Sequence, residues 1–375
     1  MKNTRVYYFH TLNFTFKSAQ TIQVVKDYYY LSKLGVEVSI YGTFRNKNDY
    51  LFIKRYLRGS KVKIIAKEYS YWNKLKLKII CLSDLLKDTS KKIIVTRHYR
   101  KLATVLKLKK YGLKVNIFHE MHEESFPYLF KKHISKENIK SLFLHKDLDS
   151  IIFTNYSQQI FFEREFEVLP SSFSVLPNGV EIDKFNNISM ESNFVITYAG
   201  GFNSWKNVDL VFESLSLLES KYTLRISGGK GDTESLNYIN SLTSKYMIDP
   251  SRVNYLGFIQ NQNFPNEVLN KSNVLLLPLG DNIQSKYLTS PMKLFEYMAT
   301  KIPVLGINFP SVSLITNDKI FLSKNDAKEF SENISNICET SQKNLDFKSM
   351  NELAAKYSYS ERSIKFYNEV ISVFS

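Results

Sequence analysis

Ser290-Pro291-Met292-Lys293-Leu294-Phe295-Glu296-Tyr297-Met298-Ala299, followed by Lys301-Ile302-Pro303-Val304-Leu305, is the stretch from which the rest of the chain is read. Ser290 is a good N-cap and Pro291 suits the first helical position, so a helix is expected to begin here. Its free backbone N–H groups and positive dipole end favour a phosphate. Lys293 places a cation in the first turn, where the dipole disfavours it unless an anion sits there. Glu296, one turn on, comes within reach of a sugar's hydroxyl pair. Pro303 ends the helix, and a short apolar strand follows. An anion site, a carboxylate acceptor and a strand this close together point to a nucleoside diphosphate pocket. The plainer alternative is a well-capped helix with an exposed Lys and Glu.

Working outward, short β-rich runs alternate with longer helical patterns. The runs are Val6–Phe9, Val36–Tyr41, Val62–Ala66, Ile93–Thr96, Val115–His119 and Ile151–Thr154, then Phe194–Ala199, Thr223–Ser227, Val253–Gly257, Val274–Pro278 and Pro303–Ile307. Near-continuous apolar strands between helices predict parallel sheets covered on both faces. Two such series predict an α/β protein of two doubly wound domains, with ligands outside the carboxyl ends of the strands. Pro177-Asn178-Gly179 reads as a turn at the boundary, giving domains at 1–180 and 181–356. Tyr357 to Phe374 reads as an amphipathic helix.

The chain's 375 residues, 43% of them hydrophobic, can bury the cores of two domains and exclude a disordered chain. Cys81 and Cys338 lie far apart, which excludes a disulfide framework and fits a reducing compartment. The first strand, within Met1–Phe9, lacks a signal peptide's apolar core, and runs such as Val274–Pro278 are too short to span a bilayer. A soluble cytoplasmic protein is expected. Residues 1–180 carry 32 Lys and Arg against 15 Asp and Glu, a net +17, and residues 181–375 carry 19 against 21, a net −2. The first half alone therefore calls for an anionic partner.

Four further segments of the second half fall in a telling order. In Gly200-Gly201-Phe202-Asn203-Ser204-Trp205-Lys206-Asn207, glycines that allow close backbone approach precede a lysine just before a helix from about Val208. Lys206 can act as a point charge on a diphosphate or stand solvated. Ser227-Gly228-Gly229-Lys230-Gly231 is a second glycine loop, without dinucleotide-fingerprint spacing. Gly257-Phe258-Ile259 closes a strand whose backbone could meet a nucleobase or simply lie buried. Leu275-Leu276-Leu277-Pro278 leads into the loop before Ser290.

This order resembles the nucleotide-sugar half of retaining glycosyltransferases of the GT-B fold, and is similar to glycosyltransferase family 4 (glycosyl transferases group 1). Pro177-Asn178-Gly179-Val180 with Phe185 resembles the interdomain signature, Gly200-Gly201 with Lys206 the glycine loop and phosphate lysine, and Ser290–Ala299 the donor-binding helix. The resemblance covers most of residues 176–310. It implies two Rossmann-like domains facing across a cleft, with the last helix, 357–375, packing back on the first domain. It also implies a nucleoside diphosphate sugar donor, UDP- or GDP-linked, held by Gly200, Gly201, Lys206, Gly228, Phe258, Ile259, Ser290, Pro291, Met292, Lys293 and Glu296. In the first half, His10–Phe16 stands where the family has a glycine-rich loop, and His119-Glu120-Met121-His122-Glu123 resembles a strand-end motif whose His122 faces the donor sugar. A hydrated loop is the alternative there.

Two features depart from the family pattern. Leu288 replaces the first of two glutamates, and Asn203 and Ser204 stand where an arginine is common, so Arg252, Lys230 or Lys293 is expected to supply that charge. Lys206 and the helix at Met292 would stabilise the departing phosphate. His122 and Glu120 are the candidates for proton transfer, the donor's phosphate being the alternative. No Asp-x-Asp motif calls for a metal, and no cofactor is expected.

Lys54, Arg55, Arg58, Lys61, Lys63, Lys67, Lys74, Lys76 and Lys78, interleaved with Tyr56, Tyr69, Tyr71 and Trp72, suit an anionic membrane surface, as does the basic pattern Lys101–Lys114. The expectation is a glycosyltransferase of hexosyl type, peripheral on the inner membrane face, with a lipid-linked or glycan acceptor in capsule, O-antigen or lipopolysaccharide synthesis. A GT-B sugar-nucleotide epimerase, a non-catalytic member of the fold and a basic membrane- or nucleic-acid-binding protein are the alternatives.

Overall fold

A computed structural model describes residues 4–15, 18–130, 134–191, 194–340 and 345–374. The chain divides into two compact units, Met1–Gly179 with Tyr359–Ser375, and Val180–Ser358.

Among the described residues, the first unit holds a seven-stranded parallel sheet. Its strands are β1 (Thr4–Asn13), β2 (Glu37–Phe44), β3 (Val62–Glu68), β4 (Lys91–Thr96), β5 (Asn116–Glu120), β6 (Ser150–Phe153) and β7 (Phe173–Val175), in the order β3-β2-β1-β4-β5-β6-β7. The second unit holds six: β8 (Val195–Gly200), β9 (Thr223–Gly228), β10 (Val253–Tyr255), β11 (Val274–Leu277), β12 (Val304–Ile307) and β13 (Phe321–Ser323), in the order β10-β9-β8-β11-β12-β13. Both sheets are doubly wound, as expected. Helices cover both faces, so a central strand such as β11 is buried at every residue. The direction of winding reverses between β1 and β4 in one sheet and between β8 and β11 in the other. Ligand crevices form at such switch points, outside the carboxyl ends of the strands.

Four readings are corrected. The three-residue strands β7 and β13 were not expected; they lie at sheet edges, where half-exposed residues break the apolar pattern. The segment His10–Phe16 is not a loop throughout, because β1 continues to Asn13 before Phe14 N–H bonds the Thr43 carbonyl; Phe16, like Met1–Asn3, lies outside the described residues. Asn178-Gly179 makes no turn: the backbone is irregular, and a Cβ on Gly179 would stand 2.7 Å from the Tyr359 ring. The C-terminal segment is an α-helix only over Tyr359–Phe366, then a π-helical turn over Tyr367–Ile371 and a short 3-10 turn over Ser372–Phe374. The helix Tyr359–Phe366 packs on the helix Ala19–Lys33 of the first unit, and Phe366, Val370 and Ile371 join its core. No helix among the described residues is long and apolar enough to cross a membrane.

Candidate functional site

The helix read from Ser290 spans Met292–Met298. It starts one residue later than expected: Pro291 is the N-cap, with extended backbone, and no side chain caps the end. It also stops earlier than read: the helix ends at Met298 with Ala299 as its C-cap, before Pro303 is reached, and β12 follows Pro303 as expected. Glu296 is buried, and its Oε2 lies 2.6 Å from Lys293 Nζ. The two residues assigned separate ligand contacts thus pair with each other, while the Lys293 ammonium also sits 3.4 Å from the centre of the Phe264 ring.

Lys206 stands on the 3-10 turn Ser204–Lys206 after β8. Two bonds to one carbonyl fix this turn: Trp205 O accepts from Gly280 N–H at 2.9 Å and from Ser285 Oγ at 3.0 Å. The loop after β8 is thereby stitched to the loop after β11, at the switch point of the sheet. The Lys206 ammonium lies 4.0 Å over the Trp205 ring. Loss of hydration, then repulsion from Lys293, pushes it down to about 8. Lys293 is thus near enough to repel Lys206 while its own ammonium is paired with Glu296, an arrangement that a diphosphate would relieve.

The glycine loops support this turn. Gly228 adopts φ +141°, and a Cβ there would fall 1.7 Å from the Gly200 carbonyl oxygen. That oxygen accepts from Gly229 N–H, while Gly228 N–H donates to Gly257 O. A Cβ on Gly201 would meet only Asn203, at 3.7 Å, so no protein atom demands a glycine there. Phe258 and Ile259 are half-buried in the loop after β10, and Phe258 packs at Gly231. Ser290 lies beside Pro291 at the head of the helix.

Of the charges offered for the missing arginine, Lys293 alone joins Lys206. Arg252 is spent on the carbonyls of Leu215, Leu218, Glu219 and Tyr222, closing the end of the helix Val208–Leu217. Lys230 is exposed and paired with Glu234 at 3.0 Å. Leu288 is buried in the π-helical turn Gln284–Leu288, where a glutamate would have to be desolvated. Sequence reasoning missed Tyr297, whose buried hydroxyl accepts from Ala199 N–H at 3.1 Å and pins the end of β8 to the helix carrying Glu296.

The first unit carries its own cluster at the carboxyl ends of its strands. Glu120 ends β5 and is buried; its Oε1 lies 2.6 Å from His122 Nε2 and 3.8 Å from Arg97, and its Oε2 accepts from Arg362 at 3.4 Å. Arg362 also pairs with Asp27 at 3.2 Å and donates to Pro177 O. Arg97 donates to Gln23 Oε1 and to His122 Nδ1, and Gln23 donates to Asn178 Oδ1. With Arg97 bonded to Nδ1, the proton of His122 sits on Nε2 and points at Glu120. Burial, then Arg97, pushes His122 down to about 4. Burial works to raise Glu120, but the His122 hydrogen bond and the two arginines hold it well below the usual carboxylate range. Burial pushes Asp27 up to about 7 against the pull of Arg362. His119 is a core residue, bonded to Thr96 and Ser125 and pushed down to about 3 by burial. Both ring nitrogens of His122 and both oxygens of Glu120 are thus engaged, so neither stands as a free base. Arg97, Arg362, Gln23 and Asp27 were missed, since their partners are distant in sequence. Among the described residues, no group of three or more His, Cys, Asp and Glu could hold a metal.

Residues 193–340 match the family of glycosyl transferases group 1. No curated protein matches the chain. Among solved structures, the chain is similar to HepE of Anabaena in complex with UDP, at 13% identity and TM-score 0.72, over 99% of this chain and 100% of that one. It is similar to a glycosyltransferase from Rickettsia africae, at 13% identity and TM-score 0.72 over 99% of both chains. A third is WaaB, a lipopolysaccharide outer core galactosyltransferase, at 16% identity and TM-score 0.69 over 99% of both chains. Identities this low establish a common fold, and the family match lies within the second unit.

Proposed function

We propose that this chain, a glycosyltransferase of the GT-B fold with a group 1 domain in its second unit, moves a sugar from a UDP- or GDP-linked donor to a lipid-linked or glycan acceptor. The acceptor belongs to a bacterial surface glycan, and the enzyme works at the inner membrane face. The observation that carries the donor assignment is that Lys206, on the turn after β8, is repelled by Lys293, whose ammonium is paired with Glu296. A diphosphate would draw Lys293 from Glu296 and free that carboxylate to accept hydrogen bonds from the ribose hydroxyls. HepE was crystallised with UDP and with UDP-glucose, which favours uridine. WaaB's activity on lipopolysaccharide favours the surface-glycan setting.

In the reaction, the bond from the anomeric carbon to the diphosphate oxygen breaks, and negative charge gathers on the departing phosphate. Lys206, and Lys293 once the bound donor has drawn it from Glu296, would face that charge before it develops and so stabilise the transition state. The acceptor hydroxyl adds on the face the phosphate leaves, retaining configuration, and its proton passes to a departing phosphate oxygen. His122 and Glu120, both engaged, are assigned positioning rather than proton transfer. With two ammonium groups in place of a metal, the reaction is expected to be indifferent to EDTA.

The test is thermal stabilisation by UDP, GDP and CMP, with and without EDTA, followed by mass spectrometry of sugar transfer to a membrane lipid extract. One nucleoside diphosphate should stabilise the protein, and Lys206→Ala should lower turnover about 100- to 1000-fold. No stabilisation by any nucleotide would overturn the reading.

A further inference from the structure

A helix packed on one face of a doubly wound sheet normally turns polar residues to water. The helix Tyr71–Lys87 of the first unit does not. It packs on β2 and β3, and Leu77, Cys81 and Leu85 form its buried stripe. On its opposite side Trp72, Leu75, Ile79 and Leu86 stand exposed, Trp72 at 69%, Ile79 at 60% and Leu86 at 74%. At 100° per residue these four share one stripe. Lys76 and Lys87, both exposed, flank it on one side and Lys78 on the other. The helix's one acidic residue, Asp84, turns inward and accepts from the Tyr41 hydroxyl at 2.8 Å. The contrast with the helix Tyr99–Lys110 of the same unit is direct: there the exposed positions are Arg100, Thr104, Lys107 and Lys110.

Two further features extend the surface. Just before the helix, Tyr69 is held under Arg45 and Lys74, at 4.3 and 4.2 Å from its ring centre, and Tyr71 stands 77% exposed beside Trp72. Beneath the helix, Lys78 and Lys101 line one small cavity with Phe9, Leu77 and Cys81. Lys78 adds to the burial that lowers Lys101. The basic rim therefore runs on to the neighbouring helix.

We infer that the helix Tyr71–Lys87 is the membrane-docking element: it seats Trp72, Leu75, Ile79 and Leu86 among the acyl chains of an anionic bilayer, with Lys76, Lys78 and Lys87 on the headgroup phosphates. Apolar residues between two rows of lysine match a surface that is oily beneath and negative above. A second copy of the chain fits poorly, because the first half carries net +17 and would meet itself. Nucleic acid fits less well, since three of the stripe's four members, Leu75, Ile79 and Leu86, offer bases nothing to stack on. The inference deepens the membrane-acceptor reading and rests on it for its role, but the lipid contact itself is independent of sugar transfer.

The test uses the intact protein with vesicles of phosphatidylcholine, alone or mixed with phosphatidylglycerol. Flotation should occur with the mixed vesicles only and fade as salt rises. Trp72 and Trp205 are the chain's two tryptophans, so in a Trp205→Phe background the emission of Trp72 should shift to the blue and be quenched by brominated lipid. Exchanging Lys76, Lys78 and Lys87 together for Gln should weaken partition about a hundredfold. Leu75→Ser, Ile79→Ser and Leu86→Ser combined should do at least as much. All six positions are exposed, so these variants, made with Trp205 retained, should fold, and their nucleotide stabilisation checks it. Nucleotide binding with no flotation overturns the docking helix and leaves the donor reading standing; flotation with no nucleotide binding does the reverse. Flotation without a Trp72 shift places the contact elsewhere, and a dimer dissolved by Ile79→Glu makes the face a self-interface; either overturns the inference.

Discussion

Lys206 is a cation held in a place that disfavours cations. Its ammonium titrates at about 8 in the free protein, below the ordinary lysine value, because burial and Lys293 both oppose the charge. The sign follows from linkage: the folded form gives up this proton between about 8 and the ordinary lysine value while the unfolded form keeps it, so in that window this residue makes stability rise with pH. A bound diphosphate reverses the preference. Nucleotide affinity should therefore fall as pH climbs above about 8, by up to tenfold per unit, with proton uptake on binding visible in calorimetry in buffers of different ionisation heat; Lys206→Met should flatten the profile. Glu296 predicts a different pattern. Glu296→Ala should raise the donor KM about ten- to a hundredfold, the worth of hydrogen bonds to a charged group, and leave kcat nearly unchanged, as read from initial rates. Lys206 and Glu296 could be named as candidates because each sits on a local motif. Their surroundings were not: the pairing of Glu296 with Lys293, and the bond from Tyr297 to Ala199 across 98 residues, follow from how strands stack.

At the scale of elements, the glycine loops are keystones. Gly228→Ala would drive a methyl group into the Gly200 carbonyl at a φ that L-residues resist. It should cost about 3 kcal/mol or more, measurable as a lower urea midpoint, with nucleotide binding lost alongside. The central strands were readable because β-branched and leucine runs buried on both faces have few other fates. The edge strands β7 and β13 and the helix start at Met292, after Pro291, depended on neighbours no local window contains. The same holds for Asn178: its dipeptide reads as a turn, yet it is buried and accepts from Gln23, 155 residues away. The C-terminal helix Tyr359–Phe366 brings Arg362 to Glu120 and Asp27. Arg362→Met should cost the protein about 3–5 kcal/mol, since it leaves buried carboxylates short of a cation, and denaturant unfolding would show it.

Over the whole molecule, charge and chemistry are divided. The net positive charge belongs to the first half of the chain, whereas Lys206, Lys293, Glu296 and the glycine loops all belong to the unit Val180–Ser358. Hydrogen exchange should record the division. Saturating nucleotide should slow exchange at residues 199–206, 228–231 and 291–298, and at a hundred times its dissociation constant add about 2.7 kcal/mol of stability. Arg362→Met should instead speed exchange in the helix Ala19–Lys33 and at the end of β5. The two sheets, and the resemblance of the second unit to glycosyl transferases group 1, could be read from residue order, because strand runs and glycine and lysine spacing are local. The ion cluster of Arg97, Arg362, Glu120 and Asp27 could not, since neutralising a buried charge needs only proximity in space and leaves no spacing behind.

That the first unit is completed by the chain's last helix also fixes an order of events at the ribosome. Domains usually form in the order in which they are synthesised. Here residues 1–179 emerge ahead of the second unit, with Arg97 near Glu120 and Asp27 but without Arg362, which follows only after the entire second unit has been translated. The nascent first unit must wait without its closing helix while its successor folds, so a frameshift or stop codon near position 359 would disable the part of the protein that was translated earlier.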